Sequence, residues 1–94
     1  MRDTLRISGV NFVAAEPSLV ATGLLGWASV TLGEFVVDGL AVRRTRDGGI
    51  VVVFPARVDR RGARHPVVRP TTNETRRAIE AQVFAELRRR GVLP

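Results

Sequence analysis

The chain predicts an α+β fold, an antiparallel sheet of four to five strands with one C-terminal helix packed on it. Three observations carry that expectation. Apolar and polar residues alternate at a period of two through much of residues 1–56, as strands half-buried on a sheet do. Gly33 and the run Asp47-Gly48-Gly49 punctuate this region with residues that accept the positive φ of tight reversals. Beyond residue 70 the apolar period changes to that of a helix. At 94 residues the length admits one domain: strands over 1–56, a basic loop over 57–70 and a helix over 71–91. A core of this size leaves a thin stability margin, which favours a homodimer.

The first strand is expected over Leu5 to Val13. Leu5 and Ile7 set one phase and Val10 and Phe12 another, so one extra residue at Gly9, a β-bulge, keeps all four on one face. Residues 14–23 read as a loop, with Glu16, Pro17, Ser18 and Gly23 as breakers. Leu24 to Leu32 is the second strand, with Ala28, Val30 and Leu32 inward and Trp27 on the opposite face. Glu34 to Arg43 is the third. Phe35 and Val37 share a face with Leu40 and Val42 only if Asp38-Gly39 is bulged. Ile50 to Phe54 is the fourth. Its unbroken apolar run predicts a central strand covered on both faces, ended by Pro55. His65 to Val68 is at most a short edge strand, because Pro66 and Pro70 exclude a central one.

The helix starts at Thr71-Thr72-Asn73-Glu74. Thr71 with Glu74 fits a capping box, and Thr72 or Asn73 are alternative caps. Ile79, Val83 and Leu87 form its inner stripe with Phe84 on the flank, and Gly91 stops it. Core packing is the expected role of Trp27, Phe12, Phe35, Phe54 and Phe84; Trp27, opposite the apolar face of its strand, is also placed to stack a base or to enter a dimer interface.

Composition narrows the chemistry. There is no cysteine, which excludes disulfides, thiolate nucleophiles and cysteine-ligated metal sites. There is no lysine, which excludes Schiff bases and the lysine of a phosphate-binding loop. The one histidine, His65, has no companion ligand and reads as a loop residue. Glu34 and Asp38 have no nucleophile or acid–base partner near them in the pattern. The expectation is no enzyme, no cofactor, no metal and no small-molecule substrate. The longest charge-free stretch, Pro17 to Gly33, is short for a membrane span of about 20 residues. With no basic-then-apolar leader at the start, a cytoplasmic location is expected.

The charge is unevenly placed. Residues 1–56 hold five arginines and five acids, whereas residues 57–94 hold ten arginines and four acids, so the whole net charge of +6 lies in the second segment. Such asymmetry points to a polyanion partner. All fifteen basic residues are arginine, which fits a GC-rich genome and fits selection for bidentate phosphate forks. Arg57, Arg60, Arg61 and Arg64 fall within eight residues on the basic loop, and Arg76 and Arg77 fall in the first helical turns. These six are the candidate nucleic-acid contacts. Arg76 has a second option, an ion pair with Glu80 at i, i+4. Arg88, Arg89 and Arg90 sit in the last turn, where positive charge suits the helix dipole.

Ala28-Ser29-Val30-Thr31-Leu32 followed by Glu34-Phe35-Val36-Val37 resembles the A-S-I-T-L…E-F-V-V segment of the stage V sporulation protein G family, also called septation proteins. Phe54-Pro55-Ala56-Arg57 is similar to that family's M-P-S-R/K. Pro70, Glu74-Thr75-Arg76 and Ile79 are similar to its H-P-I-N-S-x-T-R-x-x-I, with Arg69 in place of the histidine. The likeness spans roughly residues 27–90. It implies a small bacterial cytosolic regulator, a dimer of α+β fold that binds DNA and RNA and affects gene expression, sporulation and placement of the division septum. Of the basic residues it matches, Arg57 and Arg76 are implied in nucleic-acid contact. The rival reading is a protein–protein regulator of septation whose basic face meets an acidic protein partner.

Overall fold

The computed structural model describes residues 6–93. Strands β1 (Ile7–Ala14), β2 (Leu24–Leu32), β3 (Phe35–Arg44) and β4 (Ile50–Val53) form an antiparallel meander in the order β1-β2-β3-β4. A one-turn helix α1 (Pro17–Val20) interrupts the expected 14–23 loop. Two three-residue strands, β5 (Ala56–Val58) and β6 (Arg64–Pro66), pair as a separate hairpin. Helix α2 (Asn73–Arg89) closes the fold and packs across one face of the sheet, over β1 and β2. The α+β expectation holds. Among the described residues no helix is long and apolar enough to cross a membrane.

Both expected bulges are present. Ile7 faces Leu32 and Gly9 faces Thr31, so one residue of β1 is extra at Gly9. Ile7, Val10 and Phe12 then share the core side; Leu5 lies outside the described residues. In β3, Val37 faces Val30 and Leu40 faces Ala28, which leaves Asp38-Gly39 opposite Ser29. Gly39 adopts φ +74, the left-handed region that suits a bulge glycine. The shift carries Leu40 and Val42 to the inner face, where each is fully buried. A third shift, at Leu25, has no counterpart in the expected pattern; it turns Leu25 into the core.

Ile79, Val83 and Leu87 meet Phe12, Ala28, Val30, Leu40, Val42 and Val52 in the core. Each buried aliphatic side chain contributes about 1.5–3 kcal/mol, so this stripe is what holds α2 in place. The cap is Thr72, not the Thr71–Glu74 box: Thr72 Oγ1 accepts from the Thr75 N–H at 3.1 Å. At the other end Val92 N–H donates to Leu87 O and Gly91 N–H to Arg88 O, a Schellman closure with Gly91 at φ +78.

Three expectations fail. Trp27 is 39% exposed on the outer face of the sheet instead of packed in the core, because its phase is opposite to that of Ala28 and Val30. β4 is an edge strand, with Val51 39% exposed, not a central one covered on both faces. Its unbroken apolar run has another cause. Val52 and Phe54 face the core, while Val53 extends an apolar row on the outer face, Val13–Trp27–Ala41–Val53, aligned across all four strands. Phe35 is 78% exposed although it has the core phase, because it stands at the hairpin end of β3, where phase alone does not supply a cover.

Candidate nucleic-acid interface

The expected basic loop is a structured hairpin. Pro55 ends β4 and its carbonyl accepts from the Val67 N–H at 3.0 Å, which draws residue 67 back beside residue 55. Between them, Asp59 organises the tip. Its Oδ1 accepts from the N–H groups of Arg61 and Ala63, at 2.8 and 3.0 Å. Gly62, at φ +84, supplies the left-handed residue of the turn. His65 Nε2 lies 2.7 Å from Asp59 Oδ2; an ionised carboxylate only accepts, so this nitrogen carries the proton. The His65 hydrogen bond, then that of Ala63, holds the Asp59 carboxyl below the usual carboxylate range. His65 therefore has a structural duty that its isolation in the sequence did not suggest.

Register decides where the candidate arginines point. Arg57 pairs with His65, and Val58 pairs with Arg64. With a period of two, Arg57 and Arg64 lie on opposite faces of the hairpin. Arg60 and Arg61 are exposed at its tip. None of these four has a carboxylate partner among the described residues. Arg77 is exposed on α2.

Arg64 faces a recess of about 340 Å³ between β4 and the hairpin, walled by Phe54, Pro55, Pro66 and Val68. Arg69 and Arg76 also line it. Arg76 is partly committed. Its guanidinium lies over the Phe54 ring at 5.1 Å, donates to Val52 O at 3.3 Å, and stands 3.9 Å from Glu80. Both readings of Arg76 thus meet in one side chain, which ties α2 to the end of β4 and still leaves 41% of itself exposed.

The remaining basic residues are elsewhere. α2 has 17 residues, so its C-terminal arginines stand about 25 Å along the axis from its start. Arg89 and Arg90 close on Glu86, each with a contact of 2.6 Å, and Arg90 also donates to Asn11 Oδ1 at 3.0 Å. Arg89 first, then Arg90, pull the Glu86 carboxyl down to about 2. These two guanidinium groups share one carboxylate, which offsets one of their two charges, and they belong to the helix end rather than to the hairpin surface.

The structure thus carries Arg60, Arg61 and Arg64 on one hairpin, brings Arg64 and Arg76 to one recess, turns Arg57 to the other face, and leaves Arg77 exposed on α2 outside that recess. It adds Arg69, which sequence reasoning passed over. The traces of Arg69 in the sequence are its place where the resembled family has a histidine and its position between Pro66 and Pro70, two residues that fix the course of the segment. No family model, curated protein or solved structure matches the chain.

Proposed function

We propose that this chain is a cytoplasmic regulator that binds nucleic acid, DNA and/or RNA, through arginine–phosphate contacts. The observation that carries this reading is the hairpin: Arg60 and Arg61, exposed at its tip, and Arg64, on the face that shares a recess with Arg76, have no carboxylate partners of their own among the described residues, while Arg57 is exposed on the opposite face. Arginine grips phosphate through its planar fork, and a rigid hairpin reduces the entropy lost on binding. The resemblance to the stage V sporulation protein G family supports the same function and extends it to gene expression and to septation or sporulation.

Phosphate contacts carry no base information, so sequence preference is weak and salt dependence steep. With about three or four arginines per protomer of a dimer engaged, affinity for duplex DNA falls about 10³-fold or more between 50 and 200 mM salt. The test is a salt-titrated binding assay on duplex DNA and single-stranded RNA. Wild type is compared with Arg57, Arg60, Arg61 and Arg64 all changed to Ala. A flat salt response, or unchanged binding by the folded quadruple variant, rejects the reading. Recovery of an acidic protein from nuclease-treated lysate, with no nucleic acid in the untreated sample, replaces it with the protein–protein alternative.

The homodimer belongs to the same proposal, and the outer sheet face supports it. Val13, Trp27, Val36 and Val51 are exposed there, where a sheet with one covered face normally turns polar side chains to water. Four strands about 4.8 Å apart give this face roughly 500 Å² in plan, of the order that a standard interface takes from each partner (about 800 Å² of accessible surface). Stacking two copies face to face removes the apolar row from water. Trp27 is the one tryptophan and there is no tyrosine, so its emission reports on this face alone. A blue shift of that emission with rising concentration, together with a particle of twice the 10.3 kDa chain mass, is the expected result. A 10.3 kDa particle at micromolar concentration contradicts it.

A further inference from the structure

We infer that the recess between β4 and the β5–β6 hairpin takes one unpaired nucleotide, with its phosphate on Arg64 and Arg69 and its base against the apolar wall beside Arg76. This rests on the nucleic-acid reading and adds to it a preference for single strands.

Three arginines line this recess from three parts of the chain: Arg64 from β6, Arg69 from the segment before α2, and Arg76 from the first turns of α2. Arg64 and Arg69 have no carboxylate partner among the described residues. A simple phosphate site would not need the walls found here, which are Phe54, Pro55, Pro66 and Val68. Apolar walls with a few convergent charges suit a ligand with a flat apolar body and an anionic end. Arg76 supplies the plane. Held by a cation–π contact over Phe54 at 5.1 Å and by Val52 O at 3.3 Å, its guanidinium is a fixed planar cation against which a base can stack. The volume, about 340 Å³, is near the lower limit of small-ligand sites (roughly 300–1,000 Å³), which suits one nucleotide rather than several.

A paired base is stacked within its duplex and does not enter such a recess. Electrostatics alone predicts the reverse preference, because duplex DNA carries the denser phosphate charge and releases about 0.9 counterions per contact against about 0.7 for a single strand. A preference for single strands therefore reports the recess and not the net charge.

The test compares a thymidine dodecamer, the same strand paired with its complement, thymidine 5′-monophosphate and inorganic phosphate. Wild type, Arg64→Gln and Arg69→Gln are used at one salt concentration. Wild type is expected to bind the single strand about tenfold more tightly than the duplex, the effect of one stacked base. Arg69→Gln is expected to remove that preference and to cost the duplex no more than about threefold, with Arg64→Gln behaving alike. Equal losses on both strands, or none, overturn the inference while the nucleic-acid reading stands. If neither polynucleotide binds, the nucleic-acid reading fails, and the monophosphate decides the recess. Saturable binding of the monophosphate that Arg69→Gln abolishes and inorganic phosphate does not imitate sustains a site for free nucleotides. Its absence overturns the inference.

Discussion

Asp59 shows how one carboxylate can set the geometry of a basic surface. It accepts two backbone N–H groups and one imidazole N–H, and so orders the turn that displays Arg60 and Arg61. Asp59→Ala removes both acceptor oxygens, and with them all three hydrogen bonds, and is expected to speed amide hydrogen exchange at Arg61 and Ala63. Asp59→Asn keeps one oxygen to accept and removes a negative charge, so protection is expected to persist while affinity for polyanions rises. The carboxyl is held low by His65 and by Ala63, which fixes the sign of its pH effect. Its contribution is complete above the unfolded value near 3.9 and fades as pH falls through the lower folded value. Glu86 has the same sign over a wider window. Its contribution is complete above about 4.5 and is lost as pH approaches about 2. Carboxyl carbon shifts followed by NMR from pH 6 to pH 1.5 are expected to place the Glu86 midpoint near 2.

At the scale of elements, glycine and threonine do what the apolar pattern cannot. An added Cβ at Gly26 would stand 2.3 Å from Val13 O and 2.6 Å from Phe12 Cζ. β1 and β2 approach too closely there for any side chain, so Gly26→Ala is expected to lower unfolding free energy by about 3 kcal/mol in urea titration. Gly39→Ala places a Cβ in ordinary contact, 4.0 Å from Pro55 Cγ, but at φ +74, and only the conformational cost of about 1–2 kcal/mol is expected. Thr72→Ala is expected to cost about 1 kcal/mol, because the Thr75 N–H loses its cap, whereas Thr71→Ala is expected to be neutral. That pair of variants separates the observed cap from the capping box expected at Thr71.

Over the whole molecule, the basic excess divides into two groups at opposite ends of α2. Hairpin arginines lack carboxylate partners among the described residues, while Arg89 and Arg90 are closed on Glu86. The two groups are expected to respond differently in a polyanion-binding assay. Arg60→Ala lowers the salt slope by about one unit per protomer, and Arg89→Ala leaves it nearly unchanged. The sheet is two-sided in the same sense. Its inner face is covered by α2 and its outer face carries the row Val13–Trp27–Ala41–Val53. Trp27→Ser is expected to leave the fold intact and to weaken the proposed self-association in light scattering.

The sequence by itself determined the α+β class, the four strands of the sheet, the bulges at Gly9 and Asp38-Gly39, the inner stripe of α2 and its stop at Gly91. Each of these follows from period, phase and local backbone preference, which act over a few residues. Only the tertiary structure decided that β4 lies at an edge, that Phe35 is uncovered and that the basic loop is a hairpin. It also decided that Arg69 joins Arg64 and Arg76 around one recess. Those depend on which segments come to lie beside one another, and a pattern of alternation carries phase but no information about what stands opposite.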